Sequence, residues 1–109
     1  MIEIPIINQT YQEFTITLHN VVCDFIISYN TISKFWSFDL RVNNDWVILG
    51  KRILDNIELL APIRVEGLTA LIVTKVNENS NLPLNRETFV NGEYVLSYVE
   101  AQDLELING

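Results

Sequence analysis

The chain is predicted to be all-β: a small antiparallel sandwich or partly open barrel of about seven strands. Three observations carry that expectation. Apolar and polar residues alternate with a period of two along much of the chain, which sends successive side chains to opposite faces of a sheet. Turn-forming residues punctuate these runs at short intervals, with no linker rich in Pro, Gly or Ser and no repeat. The stretch from Trp36 to Leu60 reads as an alternating strand, a polar turn, a second strand opened by a Trp, one glycine and a closing Leu-Leu pair. Either architecture covers edges that a single sheet would leave exposed.

The first strand places Ile2, Ile4 and Ile6 on one face, with Glu3 and Pro5 opposite. Pro5 cannot donate to a ladder, so this segment is an edge strand or a free arm. Phe14, Ile16 and Leu18 then alternate with Glu13, Thr15 and Thr17, the pattern of a half-buried strand. From Val21 to Tyr29, Cys23, Phe25, Ile27 and Tyr29 share one face, while Val22 and Ile26 lie on the other. His19-Asn20 between these two strands suits a two-residue hairpin turn, because Asn tolerates the left-handed conformation such a turn requires.

Residues 30–33 form the next turn. Trp36, Phe38, Leu40 and Val42 alternate with Ser37, Asp39 and Arg41, the clearest strand in the chain. Asn43-Asn44-Asp45 gives a three-residue turn of consecutive turn-formers, and Trp46 and Ile48 begin the returning strand. Gly50 marks a bulge or a bend at a sheet corner. Ile53, Leu54, Ile57, Leu59, Leu60 and Ile63 mix helical with strand-like spacing. Pro62 limits any helix there to about one turn. Leu68 to Val76 is a short apolar run, expected to be a strand buried on both faces. Residues 77–87 are the longest loop. Asn91-Gly92 favours a primed turn joining antiparallel strands. Tyr94, Leu96 and Tyr98 alternate with Val95, Ser97 and Val99 on the last strand. Residues 1–100 are expected to form one β domain, with 101–109 as a tail that either docks or frays.

At 109 residues the chain can hide roughly two-thirds of its unfolded surface, enough for a core without staples. Hydrophobic residues make up 49% and charged residues 19%, which excludes a disordered chain. A mean hydropathy of +0.20 implies either an unusually complete core or apolar surface reserved for a partner. Net charge is −7, and the seven basic residues are thinly spread, which argues against phosphate-backbone contacts and so against nucleic acid as a partner. The single Cys23 forms no intramolecular disulfide and sits in an apolar run as a small core hydrophobe. The first residues lack a signal peptide's basic region and cleavage site. No apolar run approaches the roughly 20 residues needed to span a bilayer, so synthesis in a cytoplasm and no membrane partner are expected.

Catalytic equipment is not visible. One histidine in a turn and one cysteine in an apolar strand leave no Ser-His or Cys-His arrangement. Glycosidase chemistry needs only two carboxylates, but Asp39 lies on a polar strand face and the other acids fall mostly at turns or on solvent faces. The four glycines are scattered singly, which excludes a phosphate-cradling loop. His19 has no second ligand at a metal-binding spacing, and Asn43-Asn44-Asp45 and Asn77-Glu78-Asn79 are better read as turns than as calcium ligands. No catalytic residue, cofactor or metal is expected. Trp36 is in register with Phe38 and Leu40 and is read as core, whereas Trp46 follows the turn and is read as a partly exposed contact residue.

Several motifs, in order, resemble the plug proteins of phage baseplates. They are IEIPI at the start, EFTITL with its tight turn, FIISYN, FWSFDL, WVILG, the pair Leu59-Leu60 and RETFVNGEYVLSYVE near the end, together covering about residues 1–100. His19-Asn20 replaces a turn that usually contains glycine in that family, and the tail beyond Glu100 is longer. The resemblance implies a small all-β structural component of a contractile tail's baseplate, near the hub and the tube axis. It also implies packing against other baseplate, hub or tail-tube proteins, in several copies of a symmetric assembly and without enzymatic activity. The competing reading is a small ligand- or carbohydrate-binding β module that uses Trp46 and neighbouring tyrosines. Apolar groups outside the alternating core set are the expected interface: Ile2 and Ile4 on the N-terminal strand, Trp46, and Leu104 and Leu106 on the tail.

Overall fold

Tight turns organise the first half of the molecule. The computed structural model describes residues 1–55, 57–61, 65, 67–77, 79 and 82–102. Strands β2 (Tyr11–Leu18), β3 (Val21–Asn30), β4 (Phe35–Val42) and β5 (Asp45–Arg52) form an antiparallel four-stranded sheet in sequence order. His19 and Asn20 have φ of 50° and 63°, the two left-handed residues of a primed turn, and Leu18 faces Val21 across it. Asn43 and Asn44 repeat the device at 49° and 72°. This second turn has two residues rather than three, because Asp45 is already in the ladder opposite Val42. Two Asn residues satisfy both left-handed positions and leave Asp45 free to pair. The β3–β4 turn runs through Lys34, one residue further than expected. Asn30 Oδ1 accepts the N–H groups of Ile32 (2.9 Å) and Ser33 (3.0 Å), and Lys34 N donates to the Asn30 carbonyl.

β5 is irregular. Its register with β4 shifts between Phe38 and Leu40 and again between Leu40 and Arg41. Gly50 lies in the first break with φ +62°, and its N–H donates to Asp39 Oδ1 at 2.6 Å, so the expected bulge is present.

The second sheet is three-stranded and antiparallel, in the order β1 (Ile2–Ile4), β7 (Tyr94–Val99), β6 (Ala70–Lys75). β1 is an edge strand that stops before Pro5, which resolves the choice between edge and arm. β7 is central. Leu71 and Val73 of β6 are buried on one face, while on the other Ala70 is buried, Ile72 half-buried and Thr74 exposed. Val76 beyond the strand is exposed, so the expected burial on both faces holds only at the start of the strand.

Asn91-Gly92 does not make a hairpin turn. Only Gly92 is left-handed (φ +77°). Gly92 N donates to Phe89 O and Glu93 N to Thr88 O, the paired bonds that end a helical turn at a left-handed glycine. Thr88 precedes the dipeptide in a local turn capped by its own hydroxyl, which Asn85 N reaches at 3.0 Å. That local bonding outweighs the dipeptide's preference for a primed turn. β6 and β7 are joined by the whole 76–93 connection and close at Val76 N to Glu93 O.

The two inner faces meet in one apolar cluster. Leu18, Cys23, Phe25, Ile27, Trp36, Phe38, Leu40, Val42 and Ile48 come from the larger sheet, and Ile4, Leu71, Val73, Tyr94, Leu96 and Tyr98 from the smaller. Ile53, Leu59, Leu60, Val65 and Phe89 close its margins. Trp36 is the largest fully buried side chain. Its Nε1 donates to Asn85 O at 3.0 Å, and its ring meets Tyr29 and Phe89 edge-on. Tyr98 ties the layers through polar contacts: its hydroxyl accepts from Thr69 N and lies 3.2 Å from His19 Nδ1. The lone histidine is therefore a turn residue that latches one sheet to the other.

Trp36→Ala is expected to destabilise the chain by about 3–5 kcal/mol, read as a lower urea midpoint with an unchanged slope. Gly92→Ala is expected to cost about 1–2 kcal/mol by forcing a side chain into the left-handed region.

Candidate functional site

Alternation turns one face of the four-stranded sheet away from the core, and register lines up its side chains in rows across the strands. In the first row Thr15, Asp24, Arg41 and Trp46 are successive cross-strand partners spanning all four strands. The row is continuously bonded. Thr15 Oγ1 donates to Asp24 Oδ1 at 2.5 Å, Arg41 Nε donates to Asp24 Oδ2 at 2.8 Å, and the guanidinium sits 5.2 Å from the centre of the Trp46 ring. Cation and ring attract through the ring's quadrupole. The Thr15 hydroxyl, and after it the Arg41 guanidinium, hold the Asp24 carboxyl below its usual range.

Beside it run two looser rows. Glu13 faces Ile26, which faces Asp39, whose carboxylate holds Gly50 N. Tyr11 faces Ser28, Ser28 faces Ser37 with their hydroxyls 3.5 Å apart, and Ser37 faces Arg52. Arg52 in turn lies over Phe35 at 4.7 Å. Tyr11, Val22, Trp46 (47% exposed) and Leu49 (70% exposed) leave apolar surface among these polar groups. Arrays of this kind, with aromatic and Arg groups held in place among satisfied polar neighbours, suit packing against another protein.

The expected interface residues fall in different places. Trp46 is on this face and half exposed. Ile2 is partly buried in β1, whereas Ile4 is 1% exposed and belongs to the core, because β1 pairs with the central strand of its sheet. Leu104 and Leu106 lie outside the described residues. Arg41, Asp24 and Thr15 were not singled out from sequence. Their alternation placed them on an outward face, but nothing local said that three strands would align them.

A carbohydrate platform of Trp46 and neighbouring tyrosines is not what the register builds. Trp46 is partnered by Arg41, Tyr11 is on the opposite edge strand, and Tyr29, Tyr94 and Tyr98 face inward. Among the described residues, no three His, Cys, Asp or Glu side chains are grouped to hold a metal ion. Cys23 is buried, and burial pushes its thiol up to about 11.

The family model described as "Cyanophage baseplate Pam3 plug gp18" matches residues 1–101, a span that includes all seven strands found among the described residues. No curated protein matches the chain.

The depressed Asp24 carboxyl contributes stability that is present above the unfolded value of 3.8 and is lost as pH falls through the lower folded value. Wild type is therefore expected to lose stability on acidification below that value more steeply than Asp24→Asn, as followed by urea denaturation against pH. The Cys23 thiol should resist an alkylating reagent at pH 8 in the native protein and react once urea unfolds it, as read by mass spectrometry.

Proposed function

The chain belongs to the phage baseplate plug family, and as such is a structural component of a tail baseplate; from that premise we propose that it works purely by protein-protein packing, through the outer face of its four-stranded sheet. The observation that carries this reading is the bonded row from Thr15 to Trp46. It holds a half-exposed indole and a guanidinium in fixed positions on the outer face of the sheet. A preordered Trp-Arg pair loses little side-chain entropy on docking, the property that makes such groups dominate interfaces.

The location that fits is near the hub and the tube axis, with several copies in a symmetric assembly, neighbours drawn from hub, tube and other baseplate proteins, and synthesis in the host cytoplasm. Closed symmetry lets each copy bury the same patch. Ile2, and Leu104 and Leu106 on the tail, join Trp46 as proposed contacts. The charge of −7 supports a role without nucleic acid, since it repels a phosphate backbone. No substrate, cofactor or membrane enters the reading.

Two experiments test it. Tails assembled without the gene are expected to be malformed or non-infectious by negative-stain microscopy and plating, and normal infectious tails would sink the proposal. Trp46→Ala is expected to stay within about 1 kcal/mol of wild-type stability, since a half-exposed ring loses little more than its Arg41 contact. Its incorporation into tails is expected to fall at least about tenfold. A variant that melts would move Trp46 from the interface to the core.

A further inference from the structure

The sheet edges of this molecule are not treated alike. A strand edge exposes unpaired N–H and C=O groups, and proteins usually blunt it with short strands, proline, bulges, cations or a covering segment. β1 has only three residues and stops before Pro5. β5 is broken by two register shifts and Gly50, and ends in Lys51-Arg52. β6 is covered: Leu59 N donates to Leu71 O at 2.7 Å, and Glu58 Oε2 accepts Leu71 N at 2.9 Å.

β2 has none of these devices. Its eight residues run in unbroken register with β3 and contain no proline, lysine or arginine. The bond from Tyr29 N to Thr10 O sets the parity of the ladder: Thr10 and every second residue after it point their backbone groups at β3. Tyr11, Glu13, Thr15 and Thr17 therefore point theirs outward, and among the described residues no strand pairs with that side. At the same rim Phe14 and Ile16 are only partly buried on the inner face.

We infer that β2 is a strand-addition site, occupied in the assembled baseplate by an extended, basic segment of another protein. The backbone array specifies an extended strand, because only a strand can satisfy outward groups at every second residue. Alternation then sets the occupant's side chains: apolar ones over Phe14 and Ile16, polar ones beside Glu13. Charge chooses between a second copy and a different protein. The chain carries −7, β2 contributes one carboxylate and no cation, and Arg41 nearby is engaged by Asp24. Two copies edge to edge would bring like net charges together, whereas a basic strand gains attraction to Glu13 and to the molecule's field. The identity of the occupant as a baseplate protein rests on the function proposed above; the open edge does not.

The test uses the full chain, free and in purified tails. Amide hydrogen exchange is expected to be fast at Glu13, Thr15 and Thr17 in the free protein and slowed roughly 100-fold in tails. Unchanged exchange there would overturn the site. Glu13→Pro and Thr17→Pro each remove one outward N–H and no ladder bond. Each should fold, by circular dichroism, and lose incorporation by about tenfold or more. Normal incorporation of folded variants overturns the site, and if both variants unfold the exchange measurement decides alone. Glu13→Lys is expected to lower incorporation more than Glu13→Gln, and equal incorporation of the two overturns the basic occupant. Sedimentation of the free chain should show a monomer, and a dimer abolished by Thr17→Pro would assign the edge to a second copy instead. Normal tails from the gene deletion strike at the baseplate role; normal incorporation of the folded β2 variants strikes at the edge alone.

Discussion

Register is the constraint on which this molecule depends. Side chains alternate with period two, so a slip of one residue between β2, β3 and β4 would turn Phe25, Ile27, Phe38 and Leu40 to solvent and Asp24, Asp39 and Arg41 into the core. Two primed turns hold the alignment, His19-Asn20 and Asn43-Asn44, each with both residues left-handed. Neither contains glycine, so each accepts local strain that Asn relieves better than most residues. His19 has a further anchor, because its ring meets Tyr98 edge-on at 5.4 Å and its Nδ1 lies beside the Tyr98 hydroxyl. The turn that sets the register of one sheet is thus also the point where that sheet grips the other.

Much of this was legible in the residues. Strict alternation located β2, β3, β4 and β7, and the position of Trp36 in step with Phe38 and Leu40 separated a buried tryptophan from the exposed Trp46. The misreadings share a cause, which is that the same residues serve two local purposes. Asn43-Asn44-Asp45 looks like one turn, yet Asp45 is free to enter the ladder because two Asn residues already fill the left-handed positions. Asn91-Gly92 suits a primed turn and a helical C-terminus equally well. The choice was made by Thr88 and Asn85, whose hydrogen bonds fold the preceding residues into a turn docked against Trp36 through Asn85 O. Ile4 could not be assigned from its own neighbourhood at all, since its burial follows from pairing with Leu96, far along the chain. The row from Thr15 to Trp46 is illegible for the same reason. Its members are brought together only by three cross-strand registers, each of which has to be right.

The high mean hydropathy had two explanations, a complete core and apolar surface kept for a partner; the first is visible between the sheets, and the second belongs to the function proposed above. Most large apolar side chains are in the shared cluster between the sheets. Others are exposed, and isolated exposed apolar residues need no explanation on any protein. What distinguishes Tyr11, Val22 and Trp46 is that they share one sheet face with bonded rows of polar groups. Ile32, 91% exposed at the tip of the β3–β4 turn, is separate from that face in kind, because a turn tip has no cross-strand partner to hold it in place. The face gains its order from the ladder beneath it. Thr15, Asp24 and Arg41 are each bonded to a neighbour on another strand, so their orientation costs little additional freedom when a partner arrives.

Thr15 connects the two proposed contact modes. Its hydroxyl is bound to Asp24 on the outer face, at the head of the row that ends in Trp46, while its backbone N–H and C=O point out of the β2 edge. A strand added at that edge would lie directly beside this row. Backbone pairing would supply alignment, because hydrogen-bonded strands slide only in steps of two residues. The face would supply selectivity, through a guanidinium and an indole already set in position. A small chain with a modest surface gains from this arrangement, since pairing at an edge buries little area by itself and a flat face alone has many ways to slip. Together they would restrict a neighbour in both directions of the sheet plane, which suits a structural component of a tail baseplate.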